Sequence, residues 1–195
     1  MRRNGQVGHP LGGASTLGVV APELTDGVIV LSALTVGDAA ALVAGEDADI
    51  AARLARAPST LVMAEAHIAA WAADWAGDRY RPGATLAWGI RDAATGTLAG
   101  TAELALRFPE LAPGAANLSY GVFPRWRGRR FATRAVALMC EFLARETTAS
   151  LAVLRIDRDN VGSLRVAEHC GFRPSQELAP VNASMLWFSR PVPQR

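Results

Sequence analysis

The sequence contains no lysine, so arginine supplies all 20 of its basic side chains. A nucleotide-triphosphate loop of the G-x-x-x-x-G-K-S/T type needs its lysine, and this class of site is therefore excluded. The formal net charge is only +2, which argues against general nucleic-acid binding through bulk electrostatics. Alanine and glycine are abundant as well, and together with the arginines they are typical of a high-GC coding sequence. In such a sequence a single arginine carries less functional information than in most proteins.

Cysteine and long apolar runs are scarce as well. Cys140 and Cys170 are the two cysteines, and nothing requires a disulfide between them, which favours a reduced setting. The N-terminal MRRN lacks the apolar centre of a signal peptide, and no apolar run reaches the length of a membrane span. No set of His, Cys, Asp and Glu has metal-ligand spacing. We expect a cytoplasmic protein with no bound metal and no membrane association.

The chain length and the local amino-acid composition predict one domain with two tails. A chain of 195 residues suits a single substantial domain. Residues 1–22 are rich in Gly, Pro and Ser without hydrophobic period, and we expect a flexible tail there. Residues 23–190 are expected to form the domain, and residues 191–195 a C-terminal tail.

The predicted elements indicate a mixed α/β or α+β domain. In chain order they are a strand (28–34), alanine-rich helices (36–57, split near Gly45), a longer helix (60–79, capped by Ser59 or Thr60), strands (85–90, 97–106 and 117–123), a helix (132–147), a strand (151–156), a helix (161–170) and a strand (185–188). The second and third strands form a hairpin across residues 92–96.

The stretch PRWRGRRFATRA, residues 124–135, carries five arginines between a strand and a helix. A strand that turns into a helix presents several free backbone N–H groups at one point, and the helix dipole adds positive potential there. An anion such as a pyrophosphate fits this arrangement, and Gly128 allows it to approach the backbone closely. The composition alone would favour a solvated positive face.

Residues 122–136 resemble motif A of the GNAT superfamily, the acetyl-CoA-dependent N-acetyltransferases. The loop of that motif follows a strand and has Gln or Arg at its first position, glycine at its fourth and Gly or Ala at its sixth. Arg127 matches the first position and Ala132 the sixth, while Arg130 replaces the glycine. Since a helical N-terminal position does not require a positive φ, we expect Arg130 to donate its N–H from an ordinary helical conformation.

A second stretch, residues 159–172, resembles the GNAT element in which Asn is followed three residues later by Ser and the helix ends at Gly-Phe. One helix and one strand separate the two motifs, as in the family. The match is best over residues 84–190. Residues 36–80 and 118–122 are more loosely similar to the RimJ/RimL-like branch, which acetylates protein N-termini and various small amines.

The resemblance implies a GNAT fold, with a central mixed, mostly antiparallel sheet that contains a splayed parallel pair and is flanked by helices. It also implies acetyl-CoA as co-substrate, with the backbone near Val122 paired to the pantetheine arm and N–H groups from Arg127 to Ala132 on the pyrophosphate. Arg125 and Arg129 would reach the adenosine 3′-phosphate. The implied cofactor-binding residues are Val122, Arg127, Gly128, Arg129, Arg130, Phe131, Ala132, Thr133 and Asn160.

The candidate catalytic residues are Ser163, which the resemblance implies, and Glu103, which the strand pattern singles out; the resemblance itself assigns no base. Ser163 would protonate the departing thiolate, because the tyrosine that many relatives place further along this helix is missing; otherwise it is a surface or capping serine. Glu103, on an apolar strand, would act as a base or attract a cationic amine, and an exposed strand residue is the alternative. Asn160 is expected to cap the helix, to meet the ligand, or both. Relatives often carry Glu near Asn117, which cannot act as a base.

The leading hypothesis is therefore transfer of an acetyl group from acetyl-CoA to a primary amine, either a protein N-terminus or a small molecule, by direct attack in a ternary complex. One alternative is a catalytically degenerate acyl-CoA-binding or regulatory module. A third hypothesis is an RNA-binding protein of the ribosome, and the near-neutral net charge disfavours it. By analogy with the family, a homodimer is one expected arrangement.

Overall fold

The computed structural model describes residues 21–53, 59–175 and 185–193. The strands are β1 (Leu24–Thr25), β2 (Ile29–Ser32), β3 (Leu86–Asp92), β4 (Leu98–Ala105), β5 (Ala115–Val122), β6 (Leu151–Asp157), β7 (Arg173–Pro174) and β8 (Met185–Pro191). The helices are α1 (Ala39–Gly45), α2 (Ala48–Arg53), α3 (Leu61–Ala76), α4 (Phe131–Glu146) and α5 (Val161–His169), with short 3-10 turns at Val36–Asp38 and Pro124–Trp126.

The predicted tails overlap the described residues only at their inner ends. Residues 1–20 of the N-terminal tail lie outside the described residues. Ala21 is buried in the core, and the carbonyl of Pro22 accepts a hydrogen bond from the indole of Trp88. At the other end β8 continues to Pro191, three residues beyond the predicted strand. The division of the chain into one domain and two tails stays a prediction.

The described strands form one sheet in the order β1-β2-β3-β4-β5-β6-β8-β7. Every neighbouring pair is antiparallel except β5 and β6, which run parallel. Helices pack against this sheet. The expected fold class, a mixed and mostly antiparallel sheet with one parallel pair and flanking helices, is confirmed.

The parallel pair separates after four residues. Ala115–Leu118 of β5 pair with Leu151–Leu154 of β6, after which β5 pairs only with β4 and β6 only with β8 in the described structure. The edges of β5 and β6 that face each other beyond these residues are therefore unpaired. Gly100 of β4 permits the close β4–β5 contact here, because a Cβ at this position would lie 2.0 Å from the carbonyl oxygen of Gly121.

Local sequence signals account for several of these boundaries. The hydroxyl of Thr60 accepts the N–H of Met63 at 3.3 Å and caps α3, as predicted. The predicted hairpin closes through the N–H of Asp92, which donates to the carbonyl of Thr97 at 3.0 Å. The alanine-rich region divides at Gly45 into α1 and α2, and its predicted residues 54–57 lie outside the described residues.

Aromatic side chains join α3, α4 and the sheet in the core. Trp75 of α3 meets Trp88 of β3 edge to face at 4.8 Å between ring centroids, and Phe142 of α4 meets Trp88 at 5.3 Å. All three are buried. In the described part of the chain, no helix combines the length and the apolar character that a membrane span requires.

Candidate active site

A cleft of about 650 Å³ opens where β5 separates from β6. Its walls are α2, the free edge of β5, the turn that follows β5, the first turn of α4 and one side of α5. Of the predicted cofactor-binding residues, the following line this first cleft: Val122, Arg127, Gly128, Arg130, Phe131, Ala132, Thr133 and Asn160. Ser163 lines it as well, so the structure brings both sequence motifs to one place.

The N-terminus of α4 directs unused N–H groups into the first cleft. The N–H of Arg134 donates to the carbonyl of Arg130 at 3.0 Å, so the N–H groups that precede Arg134 have no acceptor within the helix. Gly128 has φ = +77° and Arg130 has φ = +63°, with Arg129 at negative φ between them. Alternating backbone of this kind turns successive N–H groups into one concavity that suits an anion.

The expectation that Arg130 adopts an ordinary helical conformation is wrong. Arg130 is the N-cap of α4 at φ = +63° and ψ = +16°, which is the left-handed region. Among the described residues it is the one non-glycine residue with positive φ. A side chain in this conformation costs about 1–2 kcal/mol because Cβ crowds the carbonyl oxygen. The family has glycine at this position, which adopts positive φ readily, and the turn here keeps the positive φ although Arg130 occupies the position.

Arg127 uses its polar groups within the protein. Its backbone N–H donates to the carbonyl of Pro124 at 3.2 Å, and its Nε donates to the carbonyl of Val122 at 3.1 Å. Its guanidinium also binds Asp47 through two contacts of 3.0 Å. Arg127 therefore has its backbone N–H, which the family resemblance assigns to the pyrophosphate, already bound to Pro124. Its contacts fit a residue that holds the turn in place.

Arg125 and Arg129 lie outside the lining of the first cleft and share one indole ring. Their guanidinium carbons lie 5.2 Å and 5.1 Å from the ring centroid of Trp126. Trp126 in turn stacks on Phe131 at 5.2 Å between centroids. The two arginines therefore form a cationic rim beside the turn, held by cation–π contacts.

The start of α5 follows the predicted capping chemistry. Asn160 Oδ1 accepts the N–H of Ser163 at 3.0 Å, which confirms Asn160 as the N-cap. Asn160 and Ser163 also border a second cleft of about 510 Å³ on the other side of the opening. Both residues thus lie where the two clefts meet.

The second cleft contains Glu103, which is half-buried on β4 opposite Ser119 of β5. Asn117, also in its lining, is buried, and its Oδ1 accepts a 3.3 Å hydrogen bond from Arg155 Nε. Arg155 in turn binds Glu110 at 2.9 Å and stacks over the ring of Phe108. Glu103 and Ser163 therefore line the same cleft, and their catalytic roles stay predictions.

Sequence reasoning missed Tyr120, which lines both clefts. It lies on β5 two residues beyond the last residue paired with β6. Its hydroxyl is inaccessible to solvent and has no hydrogen-bond partner in the described structure. Burial raises the pKa of Tyr120 to about 12, and the nearby Ser163 hydroxyl acts in the opposite direction. An aromatic residue inside a strand gives no sequence signal for this position.

Sequence reasoning also missed Arg53 at the end of α2. Arg53 borders both clefts and binds three carboxylates: Asp49 at 3.2 Å, Asp157 at 3.3 Å and Asp159 at 2.5 Å. Hydrogen bonding from Arg53 lowers the pKa of Asp159. These contacts fasten α2 to the β6–α5 loop across the opening. Asp157 and Asp159 lie more than 100 residues from Arg53 in sequence, so no local pattern could predict these two contacts.

The cysteines are free thiols, as predicted, and both are buried. Burial raises the pKa of Cys140 to about 11 and also raises the pKa of Cys170, so neither is a ready nucleophile. Within the described ranges, no group of three or more His, Cys, Asp and Glu side chains is arranged to hold a metal ion.

Comparison with known protein families assigns the class. Residues 29–173 match the family model of the acetyltransferase (GNAT) domain, which spans most of the chain. The protein belongs to the GNAT acetyltransferase family. No curated protein matches the sequence significantly.

Solved structures share the fold at low sequence identity. The microcin C7 self-immunity acetyltransferase MccE, in complex with acetyl-CoA and AMP, is 16% identical, with a TM-score of 0.67 over 86% of this chain and 94% of that one. The aminoglycoside acetyltransferase AAC(6′)-Ib, in complex with coenzyme A, is 14% identical (TM-score 0.63, 84% and 94%). The ribosomal-protein-S5-alanine acetyltransferase of Vibrio fischeri is 13% identical (TM-score 0.66, 88% and 97%).

Proposed function

We propose that this acetyltransferase takes its acetyl group from acetyl-CoA and delivers it to a primary amine, either a small molecule or a protein N-terminus. One observation carries the proposal: the free edge of β5 leads directly into the turn at Gly128 and the N-terminus of α4, and all three line the first cleft. An extended amide-containing chain that ends in a pyrophosphate has the chemistry that this surface recognises. The fold relatives with bound acetyl-CoA and CoA support this choice of donor.

The donor would bind in two parts. The pantetheine amides would add to β5 beyond Leu118 as an extra strand does, through backbone hydrogen bonds. The carbonyl of Val122 already accepts from Arg127 and has one lone pair left for this purpose. The pyrophosphate would lie on the N–H groups from Gly128 to Thr133, where the α4 dipole and the cationic rim around Trp126 add positive potential.

The reaction would take place where the two clefts meet. Acetyl-CoA supplies a thioester, whose carbonyl carbon the amine attacks. The N–H groups of β5 that do not pair with β6 beside the opening would stabilise negative charge on the carbonyl oxygen. Ser163 and Asn160, at the start of α5, reach the same junction from the opposite side.

The amine would enter through the second cleft. A protonated amine is not a nucleophile, so its proton must pass to a base directly or through water. Glu103 is the carboxylate that we assign to this task, because it lines the second cleft together with Ser163. Asn117, held by Arg155, would serve as a fixed polar wall.

Two of the fold relatives support different acceptor classes for this proposal. The similarity to a ribosomal-protein alanine acetyltransferase supports a RimJ/RimL-like acceptor, the N-terminus of a protein. The similarity to an aminoglycoside acetyltransferase supports a small polyamine-like acceptor equally well. A cytoplasmic location and a homodimer stay predictions.

An amine panel with acetyl-CoA tests the proposal. The panel contains peptides with N-terminal Ala or Ser, a polyamine, an aminoglycoside, an amino acid and an aromatic amine, and release of free thiol is followed. We expect at least one amine to accelerate thiol release, and Glu103→Gln to slow it more than tenfold. Acetyl-CoA binding without acceleration by any amine would favour an acyl-CoA-binding module instead, and absence of acetyl-CoA binding would refute the proposal.

A further inference from the structure

The hydroxyl of Tyr120 is a buried polar group without a partner at the junction of the two clefts. Its oxygen is inaccessible to solvent, and no described residue binds it with normal hydrogen-bond geometry. An unsatisfied buried hydroxyl is costly, and native structures retain few of them. A Phe at this position would avoid the cost, so the hydroxyl calls for an explanation.

Ser163 is the neighbouring residue that can serve as the hydrogen-bond partner of Tyr120. The side-chain hydroxyl of Ser163 interacts with Tyr120 and lowers the pKa of the phenol, whereas burial raises that pKa. The N–H of Ser163 is already bound to Asn160, which fixes the backbone of Ser163 relative to α5. The side-chain hydroxyl of Ser163 remains free to rotate, and it lines both clefts. Tyr120 lines the same two clefts, so the two side chains are neighbours at the junction.

The phenol acts as a hydrogen-bond donor in such a pair. With its pKa at about 12 it stays neutral throughout the working range of an enzyme. A thiol ordinarily ionises near pH 8.5, so complete proton transfer from this phenol to a thiolate is unfavourable by roughly three orders of magnitude. The phenol hydrogen can, however, occupy a lone pair of Ser163.

We propose that Tyr120 positions Ser163: the phenol donates to Ser163 Oγ and thereby directs the Ser163 hydrogen to the sulfur of the acyl donor. This inference rests on the proposed function. As the N–C bond to the amine forms and the C–S bond breaks, the sulfur leaves as a thiolate that accepts a hydrogen bond from Ser163. The amine proton passes to Glu103 or water, and the released thiolate takes its proton from solvent.

Titration of the CoA thiol in the complex tests this step without knowledge of the acceptor. Ionisation of the CoA thiol is followed against pH by the thiolate absorbance of the complex, after subtraction of free protein and of an S-alkylated CoA complex, for the wild type, Tyr120→Phe and Ser163→Ala. We expect the affinity of the bound thiol for its proton to be about 3–10 times higher in both variants than in the wild type, because the donor to the sulfur is lost or misdirected. Tyr80→Phe, which changes a tyrosine outside both clefts, is the matched control and should leave the titration unchanged.

The double variant separates positioning from packing. If Tyr120 acts through Ser163, Tyr120→Phe combined with Ser163→Ala should shift the titration no further than Ser163→Ala alone. An identical titration in the wild type and Tyr120→Phe, or additive shifts in the double variant, would overturn the inference while leaving the proposed function intact. Failure of CoA to bind the wild type would instead refute the proposed function, and the inference with it.

Discussion

Arg127 and Asp47 form a two-bond ion pair across 80 residues of sequence, with Nη1 3.0 Å from Oδ2 and Nη2 3.0 Å from Oδ1. Arg127 lies in the turn ahead of α4, and Asp47 lies between α1 and α2. The pair therefore fastens the turn at the first cleft to the segment that carries Arg53. Both side chains are about one-third exposed or more, so solvent screens much of the attraction.

A double-mutant cycle with Arg127→Ala and Asp47→Ala should measure this pair. We expect a coupling energy of about 0.5–1 kcal/mol in the free energy of unfolding, because the geometry is bidentate but the site is partly exposed. Urea denaturation of the wild type, both single variants and the double variant gives the value. Strictly additive effects would show that the two residues do not interact in solution.

Arg130→Gly should stabilise the protein by roughly 1 kcal/mol, because glycine adopts positive φ without the steric cost that arginine bears. Arg130→Ala is the control, since it removes the charge but keeps the Cβ, and it should give no such gain. Urea denaturation of the three proteins checks this prediction. An equal gain in Arg130→Ala would attribute the effect to the arginine charge and not to the backbone.

Local patterns predicted the fold well and the site in part. The cap at Thr60, the hairpin turn after Asp92 and the cap at Asn160 depend on residues within a few positions of one another, and all three are as predicted. Residues 28–34 were expected as one strand, whereas β2 spans Ile29–Ser32 and pairs back onto β1.

Long-range contacts and backbone strain were not predictable in this way. The positive φ of Arg130 depends on how the turn meets α4. Arginine disfavours positive φ, so the residue type does not indicate this conformation. The ion pair of Arg127 with Asp47 and the place of Tyr120 between the clefts depend on tertiary packing. The separation of β5 from β6 was expected solely from the family resemblance.

Asn160→Ala should lower the free energy of unfolding by about 1 kcal/mol, because the N–H of Ser163 loses its acceptor. Asn160→Asp keeps a side-chain oxygen at the same place and should retain most of the stability, since a carboxylate also suits a helix N-terminus. Thermal and urea denaturation measure both variants. Equal losses in the two variants would mean that the amide contributes something other than its capping oxygen.

Tyr120 should make the protein sensitive to alkaline pH. The phenol has a pKa of about 12 in the folded protein, whereas a tyrosine in an unfolded chain ionises near pH 10. Because the folded pKa is the higher one, the stability contribution is complete below pH 10 and is lost as the pH rises to 12. Relative to the wild type, Tyr120→Phe should gain roughly 1 kcal/mol in the free energy of unfolding between pH 9 and pH 11. A parallel decline of both proteins in urea denaturation would refute this prediction.

Binding of CoA at the N-terminus of α4 is tested most directly by calorimetry on two variants of Ala132. Ala132 lies in the first turn of α4 and lines the first cleft. Ala132→Glu adds a negative charge that the helix dipole tolerates but that repels a pyrophosphate, whereas Ala132→Gln adds similar bulk without charge. We predict that CoA binds the wild type with a Kd on the order of micromolar, that Ala132→Gln stays within about tenfold, and that Ala132→Glu loses at least about a hundredfold in affinity. Equal affinities of Ala132→Glu and the wild type, or no binding by the wild type, would contradict the assignment of this cleft to CoA.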